Sequence, residues 1–162
     1  ELYSADSIHF ADSLRYYTIR QHRTVYGGGG IMPDYFVPLD TTQYTPLHRQ
    51  LAAKSFIINA SLRYIDSHRK ELKKKYSSFE QFKASFEVPK KVIDGIFEEA
   101  AKEKVTPKDD AERERTLPQL RLQLKALVAR DLWDMSQYFA IINESNHVVQ
   151  KAITLMTGEV AQ

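Results

Sequence analysis

The sequence contains no cysteine, which excludes disulfide bridges, thiol catalysis and cysteine-ligated zinc sites. It also lacks an apolar run approaching the roughly 20 residues that span a bilayer, so we expect no membrane span in this chain. With 23 basic and 21 acidic residues, the formal net charge is only +2 and gives no strong field for binding nucleic acid. The one basic cluster, residues 69–75, lies late in a predicted helix, where cations suit the helix dipole. We therefore expect no nucleic-acid partner.

Glycine is scarce, yet four of the six glycines are consecutive, from Gly27 to Gly30. Glycine adopts backbone angles closed to other residues, so this run predicts a specialised turn. A phosphate-binding loop would need a helix directly after the glycines, usually with Lys and Ser/Thr at its end. Residues 31–38 instead contain two prolines and β-forming side chains, which indicates an extended segment. The glycine run therefore does not predict a nucleotide cofactor.

Two regions of different character follow from the spacing of apolar residues. Residues 1–40 predict short strands at 8–10, 14–19, 24–26 and 35–37, arranged as a hairpin or small antiparallel sheet. From Thr45 onward the apolar spacing becomes helical. The expected fold class is α+β, mainly α: a strand-rich segment at 1–40 and a multi-helix C-terminal bundle at 41–162.

Capping residues predict where the first helices begin. Thr45 followed by Pro46 predicts an N-cap and first helical residue, with one helix running to about Tyr76 and a kink near Ser55. Ser78 and Gln81 form a predicted capping box for a short helix, whose aromatic residues are expected in the core. These aromatics are Phe79, Phe82 and Phe86.

The second half of the bundle is predicted from Val88–Pro89 onward, where another amphipathic helix begins. A charged helical stretch at 108–115 is expected to be interrupted or kinked at Leu117–Pro118. The best-buried helix should then cover 119–133, because its apolar arc is too wide for a surface helix. Ser145 is expected to cap a last helix.

No catalytic, cofactor-binding or metal-ligating residue is predicted. The histidines are scattered without metal-ligand spacing, which favours surface or structural roles. They are His9, His22, His48, His68 and His147. Asp131 and Asp134 flank Trp133, and at three residues apart on a helix they favour salt bridges or helix caps over a catalytic pair. There is no Gly-x-Ser-x-Gly motif, and no Ser and Lys are singled out as a buried pair.

The glycine segment resembles a motif near the end of the catalytic core of bacterial carboxyl-terminal processing proteases, also called tail-specific proteases. In that family a Gly-Arg-x-(Val/Ile) strand leads into a glycine turn, then Gly-Ile-x-Pro-Asp and an apolar strand. The matching residues are Arg23, Val25, Gly30, Ile31, Pro33, Asp34, Phe36 and Val37. The chain departs from the motif with His22, where the family usually has Gly. The run Leu120–Met135 also resembles the helical tail of one branch of the family.

The resemblance implies a function for the parent protein and a supporting role for this chain. Family members hydrolyse peptide bonds with a serine nucleophile and a lysine base, both upstream of the glycine motif, in a core that carries a PDZ domain. The chain would then be the non-catalytic C-terminal region, inactive alone, which braces the core and mediates oligomerisation such as a homodimer. Its implied partners are the upstream domains and the protein or peptide substrates of the parent. The implied location is the cell envelope, periplasmic or membrane-anchored through the upstream part.

A second hypothesis remains open from the sequence. The chain would be an independent helical interaction module, whose glycine turn and strands bind a peptide by adding it to a sheet edge. An upstream coding sequence with a Ser and a Lys in the family's pattern distinguishes the two hypotheses.

Overall fold

The computed structural model describes residues 11–27, 35–38, 40 and 42–158. It divides into two compact units, Glu1–Asp40 and Thr41–Gln162. The predicted fold class, α+β and mainly α, is confirmed: a small antiparallel sheet lies near the N-terminus and helices make up the rest.

The N-terminal unit contains a two-stranded antiparallel hairpin. Strand β1 (Arg15–Tyr17) pairs with β2 (Thr24–Tyr26), and Tyr16 lies opposite Val25. A 3₁₀ turn (Asp12–Leu14) precedes β1. Both strands are short and largely exposed, and none of the described residues of this unit is buried.

Gly27 allows a close contact at the end of this hairpin. Its N–H donates to Leu14 O at 2.8 Å, and the ring of Tyr16 lies over it. A Cβ at position 27 would lie 2.6 Å from Tyr16 Cε2, so the Tyr16 ring would have to move. Glycine therefore allows the Tyr16 ring to pack directly on the backbone here. The other three glycines of the run and the predicted strand at 8–10 lie outside the described residues.

Two strand predictions need correction. The predicted strand at 14–19 is shorter, because the chain turns at Thr18, whose carbonyl accepts from the N–H of His22 at 3.1 Å. The predicted strand at 35–37 is wrong: these residues form no strand. No neighbouring strand pairs with them in the described part of the chain, and Pro38 has no N–H to continue a ladder.

Seven α-helices are described in the second unit. They are α1 (Pro46–Ala53), α2 (Phe56–Lys75), α3 (Phe79–Ser85), α4 (Lys90–Lys102), α5 (Asp110–Leu132), α6 (Met135–Ile142) and α7 (His147–Thr157). The two longest, α2 and α5, pack against each other; α4 packs on α2, α6 packs on α5, and α1 contacts both long helices. The core lies between them.

The predicted kink near Ser55 is a break between α1 and α2. Ser55 has a left-handed backbone with φ 63°, and its N–H donates to Ala52 O. This conformation is unfavourable for a residue with a side chain. The break turns the chain so that Phe56 and Ile57, at the start of α2, are both buried.

The predicted N-cap at Ser78 is confirmed, but Gln81 pairs with the N–H of Ser77 and not with that of Ser78 as in a capping box. Of the predicted core aromatics, Phe82 and Phe86 are buried, and Phe79 is partly buried against the core. Ser78 Oγ accepts from the N–H of Gln81 at 3.2 Å, and the Gln81 side chain accepts from the N–H of Ser77 at 3.1 Å. Phe82 is fully buried and stacks on Phe86 with ring centroids 4.4 Å apart. Offset and edge-on aromatic pairs of this kind add to the stabilisation from burial.

The predicted interruption at Pro118 is wrong, because α5 continues through it. Proline removes the N–H that would bond to the carbonyl of Glu114. Glu114 and Pro118 are both exposed, so water can satisfy that carbonyl. The stretch predicted as the best-buried helix is the second half of α5, where Leu120, Leu124 and Val128 are all buried.

The cap of the last helix also differs from the prediction. Asn146, and not Ser145, caps α7: its Oδ1 accepts from the N–H groups of Val148 and Val149. Ser145 lies in a preceding 3₁₀ turn (Asn143–Ser145), where its Oγ donates to Ile142 O. Asn and Ser are both favoured N-caps, and the intervening 3₁₀ turn moves the start of the helix by one residue.

Candidate binding site

A buried polar cluster fixes the N-terminus of α1 against α5. Thr45 Oγ1 accepts from the N–H of His48 at 3.1 Å and lies 2.6 Å from Thr116 Oγ1. Glu112 accepts from the N–H of Leu47 at 3.1 Å and from that of Lys108 at 2.8 Å. One carboxyl group therefore pairs with free N–H groups at the start of both helices, where acceptors are favoured.

This cluster places the side chain of His48 between α1 and α5. The residue is only 4% exposed, and its Nε2 has no hydrogen-bond partner among the described residues. Gln123 on α5 lies close enough to act on the imidazole, but its Oε1 is likewise buried without a hydrogen bond of normal geometry. Buried polar atoms are nearly always paired, and the Gln123 side chain is the group that acts on the buried imidazole as a hydrogen-bond partner.

Burial lowers the pKa of His48 below its usual value of 6.5; Gln123 partly opposes this shift, and the positive charge of Arg49 adds to it. The imidazole is therefore neutral at pH 7. A neutral imidazole offers one N–H donor and one nitrogen acceptor.

The space in front of His48 is a cavity of about 310 Å³, which we call the His48 pocket. It is lined by Tyr44, His48, Arg49, Ala52, Gln123, Tyr138 and Ile142. The rings of Tyr44 and His48 lie with centroids 4.9 Å apart, and burial raises the pKa of Tyr44. Arg49 donates to Tyr44 O at 2.9 Å, which holds its guanidinium at the rim.

A second cavity, of about 540 Å³, adjoins the His48 pocket and shares Ala52, Gln123 and Tyr138 with it. Apolar side chains line much of it: Ile57, Ile58, Leu127, Met135 and Phe139. The two cavities together form a cleft along α1, α5 and α6 with a polar end and an apolar end.

A larger groove of about 570 Å³ between α2 and α4 is a weaker candidate. Several of its polar groups are already paired: Arg63 donates to Glu99 at 2.7 Å, and His68 Nδ1 lies 2.9 Å from Tyr64 O. Gly95 leaves its wall open, since a Cβ there would meet nothing within 4 Å. An open groove in which these polar groups bind one another gives little reason to infer a ligand.

The other described histidines lie in separate elements of the structure. His22 lies in the turn of the hairpin, His68 stacks on Tyr64 with centroids 4.5 Å apart, and His147 begins α7. His9 lies outside the described residues. His48 follows Leu47 and precedes Leu51 by three residues, so its place beside the buried stripe of α1 could have marked it in the sequence.

Asp131 and Asp134 have the roles that the sequence predicts. Asp131 pairs with Arg130 at 2.9 Å, and Asp134 accepts from the N–H of Ser136 at 2.6 Å as the N-cap of α6. The two carboxyl groups therefore act in separate interactions.

Lys125 is the residue closest to the requirements of a lysine base. Burial lowers its pKa, and its Nζ donates to Lys83 O at 2.6 Å. The cavity beside it is lined by Phe86, Glu87, Val88, Pro118, Arg121 and Leu122, with no serine. This lysine therefore has no nucleophile next to it in that cavity.

Among the described residues, no group of three or more His, Cys, Asp or Glu side chains is arranged to hold a metal ion. No helix there has the length and apolar character needed to cross a bilayer.

A protein-family model matches residues 47–134, which is just over half of the chain. The chain belongs to the family of unknown function DUF8443. The DUF8443 match extends from the start of α1 to the N-cap of α6 and includes His48 and Gln123. Tyr44, Tyr138 and Ile142, which also line the pocket, lie outside it. Searches of curated proteins and of solved structures give no significant match.

Proposed function

We propose that the chain is the non-catalytic C-terminal region of a bacterial tail-specific serine protease. The parent protein hydrolyses peptide bonds with an upstream Ser/Lys dyad, and acts in the cell envelope. The observation that carries the proposal is the segment from Arg23 to Asp34, which matches the family's motif. The hairpin adds support, since β2 runs directly into Gly27 and the motif has a strand leading into a glycine turn.

The helical unit is proposed to brace the catalytic core or a second copy of the parent. Helix α7 supports this role because none of its eleven residues is buried, although its composition is largely apolar. Its exposed side chains include Val148, Ile153 and Met156, and Met135 and Phe139 on α6 are also exposed. A helix of this kind gains stability by covering its apolar face.

The upstream coding sequence is the first test of the proposal. It should encode a Ser and a Lys in the family's pattern together with a PDZ domain. In the parent protein, replacing that Ser by Ala should abolish cleavage of an unstructured peptide. The 162-residue chain alone should show no cleavage. Steady cleavage by the chain alone, abolished by a substitution within it, would contradict the proposal.

A bracing role predicts a different effect for α7. Ile153→Glu with Met156→Glu in the parent protein should alter its oligomeric state or lower its activity while the dyad remains intact. Ala152→Glu is the control, since it adds a negative charge at an exposed position of the same helix without removing a large apolar side chain. Unchanged activity and unchanged mass in solution for the double variant would argue against bracing through α7.

The second candidate, an independent module that binds peptides by strand addition, is favoured by one observation. Each strand of the hairpin pairs with only one neighbour in the described part of the chain, and Tyr16, Tyr17 and Val25 are exposed. Such edges accept a further strand. An upstream region without the Ser and Lys would favour this candidate instead.

A further inference from the structure

Helix α1 is placed to open without unfolding the rest of the helical unit. It is the first helix of that unit, has eight residues, and contacts chiefly α2 and α5. At its C-terminal end, Ser55 separates it from α2 with a left-handed backbone, φ 63°, which is unfavourable for a residue with a side chain. Short elements at the end of a unit open at a lower free energy than the core. The break at Ser55 therefore gives α1 a hinge.

Docking of α1 keeps one titratable side chain out of water. Leu47 and Leu51 fix the helix to the core, where both are buried, and the N–H of Leu47 donates to Glu112 on α5 at 3.1 Å. His48 follows Leu47 in the chain and is buried as well. When α1 leaves α5, the side chains of Leu47, His48 and Leu51 reach water together.

The surroundings of the docked imidazole disfavour a proton on it. Titratable and charged groups come from α1, α5, α6 and the segment before α1, and among the described residues α2 supplies none to the lining of the pocket. They are Arg49, Glu112, Tyr138 and Tyr44. Arg49 adds a positive charge, and both carboxyl oxygens of Glu112 already accept from backbone N–H groups. Gln123 on α5 partly favours the proton as a hydrogen-bond partner, but burial is the larger effect and lowers the pKa of His48.

A proton on His48 therefore favours the open position of α1. In the open position the imidazole is hydrated and its pKa is about 6.5, whereas in the docked position it is shielded from water. As the pH falls below about 6.5, the equilibrium shifts toward open α1. At neutral pH the burial of Leu47 and Leu51 keeps the helix docked.

We propose that α1 is an acid-operated latch: protonation of His48 releases α1 from α5 about a hinge at Ser55, while the other helices stay folded. Release removes one wall of the His48 pocket and of the adjoining apolar cavity, since Ala52 lines both. It also exposes Leu47 and Leu51, which gives the unit a new apolar surface at acidic pH. The inference does not rest on the proposed peptidase role, and its test uses the 162-residue chain alone.

Amide hydrogen exchange followed by NMR tests first whether α1 opens locally. The probes are the amides of residues 50–53, which bond within α1, and those of Leu124 and Val128 in the core of α5. In low urea, exchange of the α1 amides should stay constant because local opening exposes little surface, whereas exchange of the α5 amides should rise with urea. The fluorescence of Trp133, which packs on Phe79 and Phe82, should not change between pH 7.5 and 5.

The same amides then test the response to acid. After correction for the intrinsic exchange rate at each pH, the opening constant of α1 should rise severalfold between pH 7.5 and 5. An open-state pKa of about 6.5 limits this rise to about thirtyfold. His48→Gln should remove the rise, and His68→Gln should keep it. Gln123→Glu places a carboxylate beside the imidazole, which favours the proton in the docked position, so the rise should vanish or reverse.

Any of three results would overturn the inference. Equal urea dependence of the α1 and α5 amides would show that α1 opens only with the whole unit. A rise with acid that persists in His48→Gln would assign the response to another group, such as Glu112. An undiminished rise in Gln123→Glu would show that charge on the imidazole does not control α1. The NMR spectrum of each variant is recorded first to check that it is folded.

Discussion

The two units of this chain are held by different interactions. In the helical unit, side chains from six of the helices form a continuous core, with Leu51, Ile65, Phe82, Ile96 and Leu120 all fully buried. In the N-terminal unit, none of the described residues is buried, and their interactions include the hydrogen bonds of a three-residue ladder and its turn, one ring over Gly27 and an exposed pair between Arg15 and Asp12. An isolated two-stranded hairpin is marginally stable in water. The helical unit should therefore carry the cooperative stability of the chain.

The largest expected effect comes from removing a core side chain on α5. Leu124 is 1% exposed, so Leu124→Ala should lower the free energy of unfolding by about 2–5 kcal/mol, through lost burial and the cavity left behind. Denaturant titration followed by circular dichroism measures it. Leu62→Ala is the control, since Leu62 is 41% exposed and its loss should cost less than about 1 kcal/mol. Equal losses in the two variants would contradict the assignment of the core.

A smaller loss in the free energy of unfolding is expected from a change in the polar cluster that joins α1 to α5. Each carboxyl oxygen of Glu112 accepts from a backbone N–H, one from Leu47 and one from Lys108. Glu112→Gln keeps the shape but replaces one acceptor by an amide NH₂, which cannot accept. We expect a loss of about 1–3 kcal/mol in the free energy of unfolding.

Glu114→Gln is the matched control, because Glu114 is exposed on the same helix. Its effect should stay within about 0.5 kcal/mol. If Glu112→Gln were as mild as this control, the hydrogen bonds to Leu47 and Lys108 would contribute little to the helical unit.

The next effect concerns pH and the buried imidazole. Because burial lowers the pKa of His48 in the folded chain, the unfolded chain binds its proton more tightly. The contribution to stability is therefore present above the unfolded value of about 6.5 and is lost as the pH falls through the folded value. Urea titrations between pH 7.5 and 5 should show a steeper decline for the unaltered chain than for His48→Gln.

His68→Gln controls for the loss of one histidine from the same bundle. The quantity compared is the change of the free energy of unfolding with pH. A loss of stability in His48→Gln that is the same at every pH therefore leaves the comparison unaffected. Parallel curves for the unaltered chain and His48→Gln would show that the burial of this imidazole is not linked to folding.

Residue spacing and capping patterns predicted the helical unit better than they predicted the His48 pocket. The N-caps at Thr45 and Ser78 and the buried stripe of α5 follow from spacing over a few residues, which a sequence displays directly. The pocket depends on His48 and Gln123, which lie 75 positions apart and meet only because α1 packs on α5. Spacing also failed to predict that α5 continues through Pro118, because a helix tolerates proline where the freed carbonyl faces water.

The smallest expected change in global stability comes from Gly27→Ala. A Cβ at this position would lie 2.6 Å from Tyr16 Cε2, so the ring must move and the end of the hairpin must open. We expect altered NMR signals for Tyr16 and Val25. Because no described residue of this unit is buried, the free energy of unfolding of the helical unit should change by less than about 0.5 kcal/mol.

Tyr16→Ala with Gly27→Ala is the control, because removing the ring relieves the clash and so separates crowding from a backbone effect. A loss of more than 1 kcal/mol in Gly27→Ala, measured at the core by Trp133 fluorescence, would show that the hairpin supports the helical unit, because a local clash in an independent hairpin has no route to that core.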